Sequence, residues 1–162
     1  MSRRRGGGTP ATLALDRAGI AYELRPYDHD PRAESFGDEA AAALGVDPAR
    51  VLKTLLASLD GRLVVAVVPV AGRLDLKALA RALGGSKAVM AEVAAAERAT
   101  GYVAGGISPV GQKRPHPTVV DTTALDHGTV LVSGGRRGLD LELAPADLVA
   151  ITGAIVDRVG RS

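Results

Sequence analysis

Lys53 stands alone among apolar neighbours in Val51-Leu52-Lys53-Thr54-Leu55-Leu56. A lysine in such a run either snorkels to water or points its ammonium into a partly closed site. In a cleft, that ammonium offers three donors and a full charge, which suits a carbonyl or a phosphate. A second candidate is the loop Gly105-Gly106-Ile107-Ser108-Pro109-Val110-Gly111-Gln112-Lys113. Its glycines let backbone approach a ligand closely, and successive N–H groups can form an anion-binding concavity. A plain structural loop explains one glycine pair equally well. The third candidate is Ser133-Gly134-Gly135-Arg136-Arg137-Gly138-Leu139-Asp140. A tight glycine turn with two arginines suits phosphate contact, although exposed arginine pairs are commonly just solvated. Asp140, between Leu139 and Leu141, faces either a polar pocket or the wet side of an edge strand.

Other chemistries are excluded or left without support. The chain has no cysteine, so disulfides, zinc–thiolate sites and a protein thiol nucleophile are impossible. His29, His116 and His127 are far apart and form no helical pair, so no metal is expected. Asp28-His29-Asp30 reads as a solvated loop that could also hold a cation. The Gly134–Gly138 turn lacks the Gly-Lys-Ser/Thr ending of a P-loop, and no GxGxxG or GxSxG occurs.

The net charge is +2, and without Arg3, Arg4 and Arg5 the body carries −1. That balance excludes a protein that coats duplexes, but not one that touches the end of a nucleic acid. Residues 1–8 read as a disordered Arg/Gly-rich leader. No run of eighteen apolar residues and no signal-like start is visible, so a soluble, cytoplasmic protein without a membrane partner is expected.

The elements that must position these residues fit one α/β domain over 9–160, since 162 residues bury enough surface without a staple. Thr9-Pro10 opens a helix that Gly19 closes, and Ser35 with Asp38 begins an Ala-rich helix ending at Gly45. A strand is expected over 20–27, with Ile20, Tyr22 and Leu24 on one face. Asp60-Gly61 joins the apolar strands 51–59 and 63–70 into a central hairpin. Asp75 caps a helix through Leu83, and a strand at 87–90 precedes a helix at 91–99. Strands are expected near 102–104, 117–121, 128–133 and 138–143, followed by a helix from Pro145 that Ile155 continues. Helices interleaved with hairpins predict a mixed sheet, barrel-like and surrounded by helices. With aromatics at only 2%, its core must be aliphatic.

Several segments share an order and spacing. They are Tyr27-Asp28-His29-Asp30-Pro31, Phe36-Gly37-Asp38-Glu39, Lys53-Thr54-Leu55-Leu56, Pro69-Val70-Ala71-Gly72 and Leu74-Asp75-Leu76-Lys77. Thr100-Gly101-Tyr102 leading into the Gly105–Lys113 loop, and the stretch 132–143, complete the set. Together they resemble the YbaK/EbsC-type Cys-tRNA(Pro) deacylases, relatives of the editing domain inserted in bacterial prolyl-tRNA synthetases. The resemblance runs from residue 9 to about 152.

It implies a pocket for the aminoacylated 3′ end of tRNA(Pro), with Lys53 as the key functional lysine. Tyr27, Phe36, Thr54, Gly105, Gly106, Ile107, Ser108, Pro109 and Asp140 would contact substrate. It also implies no cofactor, a transient prolyl-tRNA synthetase partner, and chemistry in which the substrate's own cysteine thiol attacks its ester. Two alternatives stay open: a deacylase of Ala-tRNA(Pro) or another small mischarged amino acid that uses water, and a non-catalytic tRNA-end-binding module.

Overall fold

A computed structural model describes residues 8–162, so the leader expected at 1–8 lies outside the described residues except for Gly8. The chain begins with α1 (Pro10–Ala18), where Thr9 and Thr12 cap each other reciprocally and Gly19 closes the helix at φ 70°. Strand β1 (Glu23–Pro26) is shorter than expected. Ile20 is still part of the helix stop, because its N–H is bonded to Leu15 O at 3.0 Å. Helix α2 (Phe36–Leu44) starts at Ser35, whose hydroxyl accepts the Asp38 N–H, and stops at Gly45. The hairpin of β2 (Leu52–Leu59) and β3 (Arg62–Pro69) turns at Asp60 and Gly61, with φ 51° and 89°. Positive φ at both central residues is what a type I′ turn requires.

Then follow β4 (Arg73–Leu74), α3 (Leu76–Ala82) capped by Asp75, β5 (Ala88–Met90) and α4 (Val93–Thr100). The chain ends with β6 (Thr118–Asp121), β7 (Val130–Arg136), β8 (Leu139–Leu143), α5 (Pro145–Thr152), β9 (Ile155–Asp157) and β10 (Gly160–Arg161). No helix among the described residues is long and apolar enough to cross a membrane.

Two local expectations fail. Residues 102–104 form no strand, because α4 takes up their donors: Tyr102 N–H bonds the Thr100 hydroxyl, and Ala104 N–H bonds Glu97 Oε2 at 2.8 Å. Ile155 does not continue α5, because Gly153 ends the helix at φ 63° and Ile155 starts a strand parallel to β6.

The architecture is mixed, as expected. One sheet runs β5-β2-β3-β6-β9, a second β1-β8-β7, and β4 pairs with β10. Within the first, β2 is antiparallel to β3 and β5, while β3/β6 and β6/β9 are parallel. Both faces of its centre are buried, with Val65 and Val67 in one aliphatic cluster and Val64, Ala66 and Val68 in another. That explains the near-continuous apolar run of β3.

The sheets do not close into a barrel. They meet at a single parallel bridge, Val51↔Leu131. Closure fails because β2 gives one edge wholly to β3 and part of the other to β5, which pairs only with Ala57–Leu59. On that second edge Arg50 O accepts Leu131 N–H and Leu56 O accepts Ala91 N–H. Between those contacts β2 has no strand partner among the described residues. Thr54 shares the parity of Arg50 and Leu56, so its peptide groups face the gap.

Candidate active site

A cavity of about 410 Å³ opens along this bare edge. Its walls are β2 from Val51 to Leu56, the start of α2, the 104–107 loop, and the β7/β8 pair at Ser133 and Asp140. Tyr27, Phe36, Lys53, Thr54, Gly105, Ile107 and Asp140 all line it, brought from five separate segments.

Gly106, Ser108 and Pro109 lie outside that lining. Gly106 spends its N–H on Val103 O at 2.9 Å and packs against the Arg136 backbone. Ser108 is fully buried, with its hydroxyl accepting the Val110 N–H, and Pro109 has no N–H to offer. They shape the loop from behind. The N–H groups of Gly105 and Ile107 make no hydrogen bond among the described residues.

Ser133 opens the third candidate segment without being singled out as a site residue, and it lies opposite Asp140 in the β7–β8 register. The signal was strand pairing across the glycine turn. Met90 and Val93 add an apolar, exposed rim that nothing local distinguished from an ordinary edge strand and helix.

Lys53 is half-buried, and its Nζ donates to Gly72 O at 3.0 Å. An ammonium has three donors, so two remain for a ligand. Thr54 Oγ1 is buried without a hydrogen-bond partner among the described residues. A buried unsatisfied hydroxyl costs about 1–3 kcal/mol until something bonds to it.

Asp140 is 5% exposed, and its carboxyl makes no hydrogen bond among the described residues. Burial pushes it up to about 7, against the opposing pull of Arg25. Arg25 faces Asp140 in the β1–β8 register, but its guanidinium is paired with Glu142. Tyr27 is held above its ordinary value, first by burial and then by the Asp140 charge.

Phe36 closes the mouth. A Cβ on Gly105, which sits at φ +86°, would come within 2.7 Å of its ring, so only glycine lets the loop lie this close. On its other contacts, the Arg137 guanidinium lies 5.2 Å from the ring centroid and the His29 ring 6.0 Å away. The described residues hold no cluster of three metal-ligating side chains.

The arrangement is a mainly apolar cavity lined by one lysine, one threonine whose buried hydroxyl has no partner among the described residues, one buried carboxyl, and two loop residues whose N–H groups make no hydrogen bond there. Such a site has the chemistry to orient a small polar group and to stabilise developing charge on a carbonyl oxygen. The family model described as "Aminoacyl-tRNA editing domain" matches residues 30–151. The chain belongs to this family. The match contains every lining residue just discussed except Tyr27, which precedes it.

This editing domain has relatives along nearly its whole length. A protein of Enterococcus faecalis, provisionally named Cys-tRNA(Pro)/Cys-tRNA(Cys) deacylase EbsC, is 39% identical over 133 residues, covering 81% of this chain and 78% of that protein. A crystal structure provisionally described as a trans-editing enzyme for prolyl-tRNA synthetase superposes with a TM-score of 0.83. The two share 26% identity and cover 100% of this chain and 99% of the other. The crystal structure of hypothetical protein APE2540 gives a TM-score of 0.84 at 29% identity, over 94% of this chain and 99% of that one. Membership makes the editing domain a hydrolase-type enzyme whose substrates are aminoacyl esters of tRNA.

Proposed function

We propose that the protein is a trans-acting deacylase that clears cysteine from Cys-tRNA(Pro), working in the cytoplasm as one domain over residues 9–160. The observation that carries this reading is the cavity itself. It presents a lysine ammonium and peptide donors to an ester but lacks a cysteine, and no serine–histidine pair lines it. In this reading the substrate's own thiol serves as the nucleophile.

A free thiol has a pKa of roughly 8.5, so a usable fraction is ionised at neutral pH. Holding it beside its own carbonyl contributes on the order of 7–11 kcal/mol. The sulfur attacks the carbonyl carbon, and the bond to the ribose oxygen breaks. The ribose oxygen takes up the proton that the thiol gave up and leaves as the hydroxyl, and the cyclic thioester is then opened by water. In this scheme the two spare Lys53 donors and the Gly105 and Ile107 N–H groups meet the ester oxygens, Thr54 bonds a polar atom of the aminoacyl group, and Asp140 receives its α-ammonium. The need for such a check is physical: a hydrophobic pocket gains only about 1–3 kcal/mol from a methylene-sized difference, so proline and cysteine are hard to separate at the first step. Choice of tRNA would then rest on a transient complex with prolyl-tRNA synthetase.

The test is single-turnover deacylation of Cys-tRNA(Pro) and Ala-tRNA(Pro) by the wild type and Lys53→Ala. Release of cysteine only, abolished by the substitution, is the expected result. Preferential release of alanine moves the protein to a water-using specificity class, and binding without turnover makes it a tRNA-end-binding module.

A further inference from the structure

The Arg136–Gly138 tip of the β7–β8 hairpin is wedged into the cavity mouth between two other loops. On one side, a Cβ on Gly106 would lie 2.7 Å from Arg136 Cα and 3.0 Å from Arg137 N, so the 104–107 loop packs on it backbone to backbone. On the other, Tyr27 N–H donates to Gly138 O at 2.9 Å, and a Cβ on Gly138 would meet Tyr27 O at 2.9 Å. This clamping fixes where Arg137 can reach.

Its side chain is also held at two points. Nε donates to Ala104 O at 2.8 Å, and the guanidinium lies over the Phe36 ring at 5.2 Å. Both Phe36 and Ala104 line the cavity, so the cation sits on its rim. The two terminal nitrogens make no hydrogen bond, and the guanidinium no salt bridge, among the described residues. Glu39, the acid beside this corner, is already bonded to His29 and to the Asp30 N–H. A guanidinium fixed by its Nε edge and one face presents its remaining donors as a pre-oriented fork, the geometry that matches a phosphate.

We propose that Arg137 binds the phosphodiester on the 5′ side of the terminal nucleotide of the acylated strand. The assignment rests on the deacylase reading: with the ester among Lys53, Thr54 and Asp140, the next charged group along the strand is one sugar away, at the mouth. The stack on Phe36 makes recognition cooperative, because the ring that walls the aminoacyl site also carries the cation that holds the phosphate. The neighbouring Arg136 makes no side-chain hydrogen bond or salt bridge among the described residues.

The test uses two amide-linked, non-hydrolysable analogues, 3′-cysteinylamino-3′-deoxyadenosine with and without a 5′-phosphate. Their binding to wild type and Arg137→Gln is measured by calorimetry, and ester turnover is measured separately. The wild type should bind the phosphorylated analogue about ten- to a hundredfold more tightly, the range for a charge-assisted contact. Arg137→Gln should bring that ratio to within about twofold, with Arg137→Lys between, and should lower the salt dependence of tRNA binding by about one phosphate contact. A ratio unchanged in Arg137→Gln, or no phosphate preference in the wild type, overturns the proposal. A phosphate preference lost in Arg137→Gln, in a wild type that turns over no ester, overturns the deacylase reading and leaves Arg137 as a nucleotide phosphate ligand.

Discussion

The Lys53 ammonium is anchored 3.0 Å from the carbonyl oxygen of Gly72, so its aim depends on the chain that closes over Gly72. A Cβ on Gly72 would lie 2.6 Å from Arg161 O. Strand β10 is pinned there by Asp121, which accepts the N–H groups of Val159 at 2.9 Å and Gly160 at 2.7 Å. Burial alone would raise that carboxyl, yet hydrogen bonds from Thr123, Gly160 and Val159 hold it below its ordinary value.

Gly72→Ala should therefore disturb catalysis from outside the cavity. The added methyl meets backbone, which cannot rotate away, so β10 and the Gly72 carbonyl must shift. We expect a stability loss of about 1–3 kcal/mol and a fall in single-turnover rate of roughly tenfold or more, the usual scale for a misplaced catalytic contact. Thermal unfolding and deacylation measured together check this, and an unchanged rate would show that the Lys53 anchor is dispensable.

Gly105→Ala attacks the opposite wall. Its φ of +86° disfavours any Cβ, and the methyl would come within 2.7 Å of the Phe36 ring. Phe36 must swing away and open the mouth. Substrate affinity should fall more than maximal rate, visible as a raised KM with kcat less affected.

Thr54→Val should separate stability from activity. The change keeps the shape of the side chain and removes a buried hydroxyl without a partner among the described residues. A gain of about 1 kcal/mol in stability is expected, alongside slower deacylation. Thr54→Ser should retain activity without the gain. If Thr54→Val deacylated at full rate, the hydroxyl would have no part in substrate binding.

Asp140 should make stability depend on pH. Its folded value of about 7 lies above the roughly 3.9 of an unfolded chain. Between those values the folded state keeps a proton that the unfolded chain has released. Its contribution is thus fully present below about pH 4 and lost as pH rises through 7. Asp140→Asn removes that loss, with an upper limit of about 4 kcal/mol. The Tm of the variant should exceed that of wild type at pH 8, and the difference should vanish towards pH 4. Equal Tm values at pH 8 would mean that the carboxyl is solvated.

Local chemistry makes much of this architecture legible in the order of the residues. Thr9-Pro10, Ser35, Asp75 and the closing Gly19 and Gly45 act on their own turns, and Asp60-Gly61 sets its hairpin through two backbone angles. Contacts formed at a distance are hidden. The strands β9 and β10 exist because β6 and β4 offer free edges, so the residues after Gly153 carry no local sign of them. Lys53 is conspicuous as a charge among apolar residues, but its Gly72 partner is a peptide carbonyl without a side-chain signature. In the GGISP loop, composition marks all five residues alike, whereas backbone geometry turns only Gly105 and Ile107 to the cavity.

The unpaired stretch of β2 has an evolutionary consequence. A side chain that grips a substrate can be lost in one point mutation, whereas the N–H and C=O of Thr54 survive all of them except proline, which would remove the N–H. Whatever part of a ligand meets that edge is held by a feature that inheritance keeps almost unconditionally. The side chains around it are then free to drift, so lineages can change which amino acid they reject while keeping the same grip on the peptide-like portion common to all.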